Sequence, residues 1–257
     1  MGLSPPVQGV NAYPYVLDTM KAQGLIKSRA FSLDLRGVDN PTGALIFGGI
    51  DTGKYIGELA KLPILPAEDT PLGADRYYVT MTGIGLTLPD GNVVQSEQLN
   101  TPVFLDSGAT LSYLPTRIYE ALVGSFADAM FEPESGFYLV PCEVTELEGS
   151  VDFYFEGKTI RVPFNEFIWQ QSGYCILGAM PDDEEAILGD TFLRAAYVVY
   201  DQDQRNLREL FSLSPSPPRC CAMVWEVADD YGQILRRRRI AGRIWWPLVR
   251  ARMPCRV

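Results

Sequence analysis

Short apolar runs that alternate with polar residues, and stop at glycine, proline, aspartate or asparagine, recur along this sequence. That punctuation constrains the fold more than any other feature. Ala30-Phe31-Ser32-Leu33-Asp34-Leu35 alternates, turns through Asp39-Asn40-Pro41-Thr42-Gly43 and returns as Ala44 to Gly49. Tyr77 to Leu88 is followed by Pro89-Asp90-Gly91-Asn92 and Val93-Val94, and Val151 to Phe155 by Glu156-Gly157 and Thr159 to Val162, giving two more hairpins. With 23 glycines and 19 prolines in 257 residues, turns are dense and long helices few. Helical periodicity is confined to short segments. Tyr15 to Ala22 ends before Gly24, and a stripe of Ile118, Tyr119, Leu122, Val123, Phe126 and Met130 follows Pro115. A further short helix is expected from Asp190 to Ala195. The chain therefore reads as all-β with a few short helices.

Charge divides the chain. Residues 1–213 carry 13 Lys and Arg against 29 Asp and Glu, whereas residues 214–257 carry 9 Arg against 3 acids. An acidic body repels nucleic acid and anionic membranes, and its carboxylates lose their mutual repulsion as pH falls. The tail, with Arg236-Arg237-Arg238-Arg239 ahead of Trp245 and Trp246, reads in isolation as a nucleic-acid or membrane-surface segment, or as a solvated charge run. The Pro-rich Ser214 to Pro218 is the natural boundary. No apolar run reaches the roughly 18 residues of a membrane span, and Met1 to Pro6 lacks the pattern of a secretory signal.

The sequence contains no histidine. Ser-His and Cys-His nucleophile pairs, His general bases and His-ligated zinc are therefore excluded, and acid-base chemistry falls to carboxylates. The strongest candidate is Asp106. Val103-Phe104-Leu105 forms a buried strand that ends in this carboxylate, followed by Ser107, then Gly108, which lets the chain fold back. An Asp held there by backbone N–H donors is oriented and desolvated for proton transfer. Taken alone, Asp106-Ser107-Gly108 also reads as an ordinary turn. Some eighty residues on, Ala186-Ile187-Leu188 ends in Gly189, and a glycine there lets the Asp106 loop pass close by. Cys142 and Cys175 are 33 residues apart and, on spacing alone, are either a disulfide or two buried thiols.

Four segments together resemble the carboxyl-terminal lobe of the pepsin-like aspartic proteases, closest to the fungal, yapsin-like, cell-surface branch. They are Leu45 to Asp51, Phe104 to Gly108, the Cys142 and Cys175 pair, and Ile187 to Arg194 continuing through Asp201, and the likeness spans residues 11–210. The resemblance implies a single lobe of a bilobal fold with part of the sheet that joins the lobes. Residues 1–65 would finish the amino-terminal lobe and supply inter-lobe strands, 66–213 would form the carboxyl-terminal lobe, and 214–257 would be a basic tail that is non-native or disordered.

By the same resemblance, Asp106 is one of two catalytic carboxylates, and Ser107 ties the two lobes together. Gly108 and Thr110 bond the substrate backbone, Tyr77 lines the primed side of the cleft, and Gly189 supports the active-site loop. Cys142 and Cys175 form the lobe's disulfide. The implied reaction is hydrolysis of polypeptides at acidic pH, with no cofactor and no metal, by a secreted or cell-surface enzyme. Nucleic acid is not an expected partner, and membrane or cell-wall anchoring would need a terminus outside this chain. Ala109 departs from the family, which has Ser or Thr there to donate to the carboxylate. The first catalytic motif has no counterpart: Asp51-Thr52-Gly53 has its letters but reads as a surface turn. The expectation is thus a chain carrying one carboxylate of the pair, lacking the amino-terminal lobe, and weakly active or inactive. A homodimer with two copies of Asp106 and a non-catalytic peptide-binding or regulatory lobe are the alternatives.

Overall fold

The computed structural model describes residue 3 and residues 14–40, 42–95 and 98–211. The expectation for 214–257, including its arginine run and tryptophans, lies outside the described residues. Within them strands dominate, as expected, and fall into three sheets.

The first sheet has five antiparallel strands in the order Ala44–Phe47, Ala30–Asp34, Ala196–Asp201, Asn206–Phe211 and Ala60–Pro63. Residues on both sides of position 65 therefore share one sheet. One face carries Phe31, Val198, Tyr200, Leu207 and Leu62 into the core, and the Phe31 and Tyr200 rings stack 4.5 Å apart. Burying a side chain of that size contributes about 2 to 3 kcal/mol.

The opposite face of Ala30–Asp34 presents Ser32 and Asp34, the polar half of the alternation, which on the sequence pattern alone would face water. Both are buried, Asp34 to 1% exposure. The segment after Phe47 folds back over them. Ser32 Oγ donates to the Gly49 carbonyl at 2.6 Å, Asp51 N–H donates to Tyr197 Oη at 2.9 Å, and Tyr55 packs on Tyr197. Arg36 Nε and Lys54 Nζ reach the same Asp34 oxygen at 2.9 and 3.3 Å. Asp51-Thr52-Gly53 is part of this strap: Asp51 accepts from its own Gly53 N–H at 2.9 Å and starts a single 3-10 turn, Thr52–Lys54.

The second sheet runs Lys158–Pro163, Ser150–Phe155, Tyr78–Thr87, Thr101–Leu105, Ala186–Leu188, Ser112–Leu114 and Ala179–Pro181, with Val93–Gln95 added to Tyr78–Thr87. The hairpin at Glu156-Gly157 forms as read. Gly157 has φ +71°, a conformation that residues with a Cβ rarely adopt. Two contacts in this sheet are parallel: Thr101–Leu105 with Ala186–Leu188, and Ser112–Leu114 with Ala179–Pro181.

A third, smaller sheet orders Trp169–Gln171, Tyr174–Ile176, Phe137–Val140 and Met130–Glu132. Its last strand corrects the helical reading of residues 118–130. The helix is Thr116–Val123 and is followed by Gly124, and Asp128 turns with φ 61°. Met130 is therefore not on the helical stripe; it pairs with Leu139 on an edge strand and is 65% exposed. Phe126 still reaches the core, with its ring 5.5 Å from that of Phe164. Helices also form at Val16–Ala22, Phe164–Phe167 and Asp190–Leu193. Cys142 and Cys175 are bonded, with Cα atoms 5.3 Å apart, tying the turn Cys142–Glu146 to strand Tyr174–Ile176. No helix among the described residues is long and apolar enough to cross a membrane.

Candidate active site

Strand Thr101–Leu105 is anchored by Val103 and Leu105, which are 0% and 2% exposed, and lies parallel to Ala186–Leu188 with Leu105 opposite Leu188. Parallel pairing brings the carboxyl ends of two distant strands to the same place. One ends in Asp106, the other in Gly189.

From there the chain makes a tight return. Asp106 N–H donates to the Leu188 carbonyl at 3.1 Å, Ala109 N–H to the Asp106 carbonyl at 3.2 Å, and Gly108 N–H to Asp106 Oδ1 at 2.8 Å. The carboxylate is thus held by a donor from its own loop. That loop then crosses the second strand's end: Asp190 N–H donates to Ala109 O at 2.8 Å and Thr191 N–H to Thr110 O at 3.1 Å. A methyl group on Gly189 would sit on the carbonyl oxygens of Ala109 and Leu111, so the crossing needs glycine for space. Asp106 and Ala109 are half-buried, while Ser107, Gly108 and Thr110 are exposed.

Asp106, Ser107, Gly108, Thr110 and Gly189 are therefore brought together. Tyr77 meets strand Thr101–Leu105 through its backbone, its carbonyl accepting from Leu105 N–H at 3.2 Å, while its side chain is buried. Its ring lies 4.7 Å from that of Tyr200 and 5.9 Å from that of Phe31, its residue is 4% exposed, and its hydroxyl donates to the Leu3 carbonyl and accepts from Gln202. Burial pushes the Tyr77 phenol well up, against the pull of the Gln202 bond. Its neighbour Tyr78, opposite Phe104, is the residue that shares a face with Phe104.

Asp190, which the sequence offers as a helix start, is an acidic neighbour of the return. The Asp190 carboxyl is pushed up by burial, pulled back by Arg194 and raised again by the charge of Asp106, and its Oδ1 is buried without a hydrogen-bond partner. Ser112 and Thr191 are both fully buried beneath the loop. The only signal for them is a hydroxyl residue at a core position of an apolar run. No group of three or more His, Cys, Asp or Glu among the described residues is placed to hold a metal ion.

Asp106 thus stands at the carboxyl end of a strand, on an exposed glycine-containing return that a second glycine lets pass. The sequence matches the eukaryotic aspartyl protease family over residues 1–209, and the chain belongs to that family, in its pepsin-like fungal branch. It is 36% identical over 203 residues to the probable aspartic-type endopeptidase opsB of Aspergillus fumigatus, a match covering 75% of this chain and 41% of that protein. It is 36% identical over 196 residues to aspartic proteinase yapsin-3 of Saccharomyces cerevisiae, covering 73% and 38%. The acid protease of Saccharomycopsis fibuligera is 35% identical over 195 residues, covering 73% and 48%. The chain thus spans less than half the length of these relatives.

Proposed function

We propose that this chain supplies one carboxylate, Asp106, to an aspartic endopeptidase whose second carboxylate comes from an amino-terminal lobe outside it. The observation that carries the reading is the Asp106 loop: a carboxylate at a strand end, held at 2.8 Å by Gly108 N–H and crossed by the backbone of residues 189–191. One carboxylate takes a proton from water as the water oxygen adds to the peptide carbonyl; its partner gives a proton to the carbonyl oxygen. The tetrahedral adduct then collapses: the first carboxyl passes its proton to the nitrogen, the C–N bond breaks, and the partner takes back a proton from the adduct's hydroxyl. A single carboxylate cannot hold the base and the acid states at once, so this chain by itself is weakly active or inactive.

In this reading Ser107 meets the other lobe, and Gly108 and Thr110, exposed on the return, bond an extended polypeptide substrate. Residues 1–65 belong with the inter-lobe strands, 66–213 with the carboxyl-terminal lobe, and the parent enzyme works at acidic pH, secreted or at the cell surface. The test is to co-refold the chain with the amino-terminal lobe of opsB and to follow pepstatin-sensitive cleavage of a peptide library at pH 4. The combination is expected to cleave, the chain alone to be inert, and Asp106→Asn to lower the rate by at least about a thousandfold. Cleavage that survives Asp106→Asn would refute the reading.

A further inference from the structure

The Asp106 loop is held from below by two side chains with no charge and no access to water. Ser112 and Thr191 are both 0% exposed, one on the strand that leaves the Asp106 return and the other in the helix after Gly189. Their hydroxyl oxygens are 3.1 Å apart. Thr191 Oγ1 is 2.8 Å from the Gly178 carbonyl, which can only accept, so the Thr191 proton is committed there. At the shared contact Ser112 must then be the donor. Ser112 Oγ in turn accepts from Gly189 N–H at 3.3 Å. The direction of every proton follows: Gly189 N–H to Ser112, Ser112 O–H to Thr191, Thr191 O–H to Gly178. The Ser112 N–H adds a second bond to the same Gly178 carbonyl at 3.1 Å.

We infer that Ser112 and Thr191 are positioning residues for Asp106, a buried hydroxyl relay that locks the Asp106 return onto the 189–191 crossing. The relay joins the three segments whose relative placement sets the carboxylate: the strand after the return, the glycine beneath it, and the Gly178 segment that flanks Ala179–Pro181. All of its members are buried. Its effect reaches Asp106 through the two backbone bonds above it, Asp190 N–H to Ala109 O and Thr191 N–H to Thr110 O. A buried chain of this kind tolerates no partial loss, because removing one hydroxyl leaves its neighbours without a partner in a site that water does not reach. The inference gives Asp106 the catalytic part proposed above, but its test needs no activity.

The experiment uses the full chain and reads two signals by NMR: amide hydrogen exchange at Asp190 and Thr191, and the amide resonance of Gly108, which reports the bond to Asp106 Oδ1. Thr191→Val and Ser112→Ala are expected to speed exchange at residues 190 and 191 on the order of ten- to a hundredfold and to displace the Gly108 resonance. Thr191→Ser, which keeps the hydroxyl and loses the methyl, is expected to restore both. Amides of Ile160 and Val162, at the far edge of the same sheet, are expected to change far less. Wild-type signals in Thr191→Val, equal effects of Thr191→Val and Thr191→Ser, or a uniform rise that includes Ile160 and Val162 would each overturn the relay. A Thr191→Val chain that fails to fold where Thr191→Ser folds supports it, and failure of both assigns Thr191 to packing and overturns it. Loss of the catalytic reading, by contrast, would show only in the Asp106→Asn cleavage assay.

Discussion

Gly189→Ala is the sharpest perturbation of the site. The added methyl meets the carbonyl oxygens of Ala109 and Leu111, which belong to backbone on both sides of the crossing and cannot rotate away as a side chain would. Overpacking against fixed atoms costs about 1 to 3 kcal/mol. Moving the return outward also stretches Asp190 N–H to Ala109 O, now 2.8 Å, and Gly189 N–H to Ser112 Oγ, now 3.3 Å. Each is worth about 1 kcal/mol, and stretching forfeits about half of each, which brings the expected loss to about 2 to 4 kcal/mol. For a domain near 200 residues this lowers the melting midpoint by roughly 5 to 15 °C. The assay is a calorimetric melt of the disulfide-intact chain, with Gly49→Ala as the control, since a methyl there meets nothing within 4 Å. A Gly189→Ala midpoint within about 1 °C of the parent, or an equal fall in Gly49→Ala, would refute the close-approach argument.

Three further outcomes follow from the same structure. The Glu166 and Asp190 carboxyls are raised chiefly by burial, so the folded chain binds more protons than the unfolded one just above the ordinary carboxylate range; their contribution is full below that range and is lost as pH rises through the raised values. Asp203 runs the other way: burial alone would raise it, but Lys21 and Arg29 outweigh that and hold it far down, so its contribution is present above the ordinary carboxylate value and is lost as pH falls below it. A series of melts from pH 2 to 8 should therefore peak in mild acid, with Glu166→Gln flattening the alkaline side and Asp203→Asn the acid side. Asp34→Ala leaves Arg36 and Lys54 facing a buried hole and should cost about 3 to 5 kcal/mol in urea titrations, against about 1 for Lys54→Ala. Cys142→Ser opens a loop of 33 residues and should cost about 3 to 4 kcal/mol in the same titrations.

Much of the secondary structure was legible because hairpin signals are local. Glu156-Gly157 and Pro89-Asp90-Gly91-Asn92 turn where their residue types require it. The sheet of Met130–Glu132, Phe137–Val140, Trp169–Gln171 and Tyr174–Ile176 was legible only as strand-like sequence beside Cys142 and Cys175, since strands of three and four residues carry too little alternation to stand out. The placement of Tyr77 turns on parity. Successive strand residues face opposite ways, and pairing Tyr78 with Phe104 separates Tyr77 from that face. Asp34 reads as the water-facing half of an alternating strand and is buried because a later segment folds over it.

The amino-acid order alone determined that this chain is built of short strands, that its acid-base chemistry rests on carboxylates, and that Asp106 and Gly189 each end an apolar run. These are properties of neighbours along the chain, governed by turn preference, alternation and the absence of histidine. Only the tertiary structure decided that the two runs lie parallel and finish together, that Ser112 and Thr191 meet beneath the return, and that Asp34 is enclosed. Those depend on where segments apart in the sequence cross in space, and a buried hydroxyl or carboxylate shows its role only when the group opposite it is known.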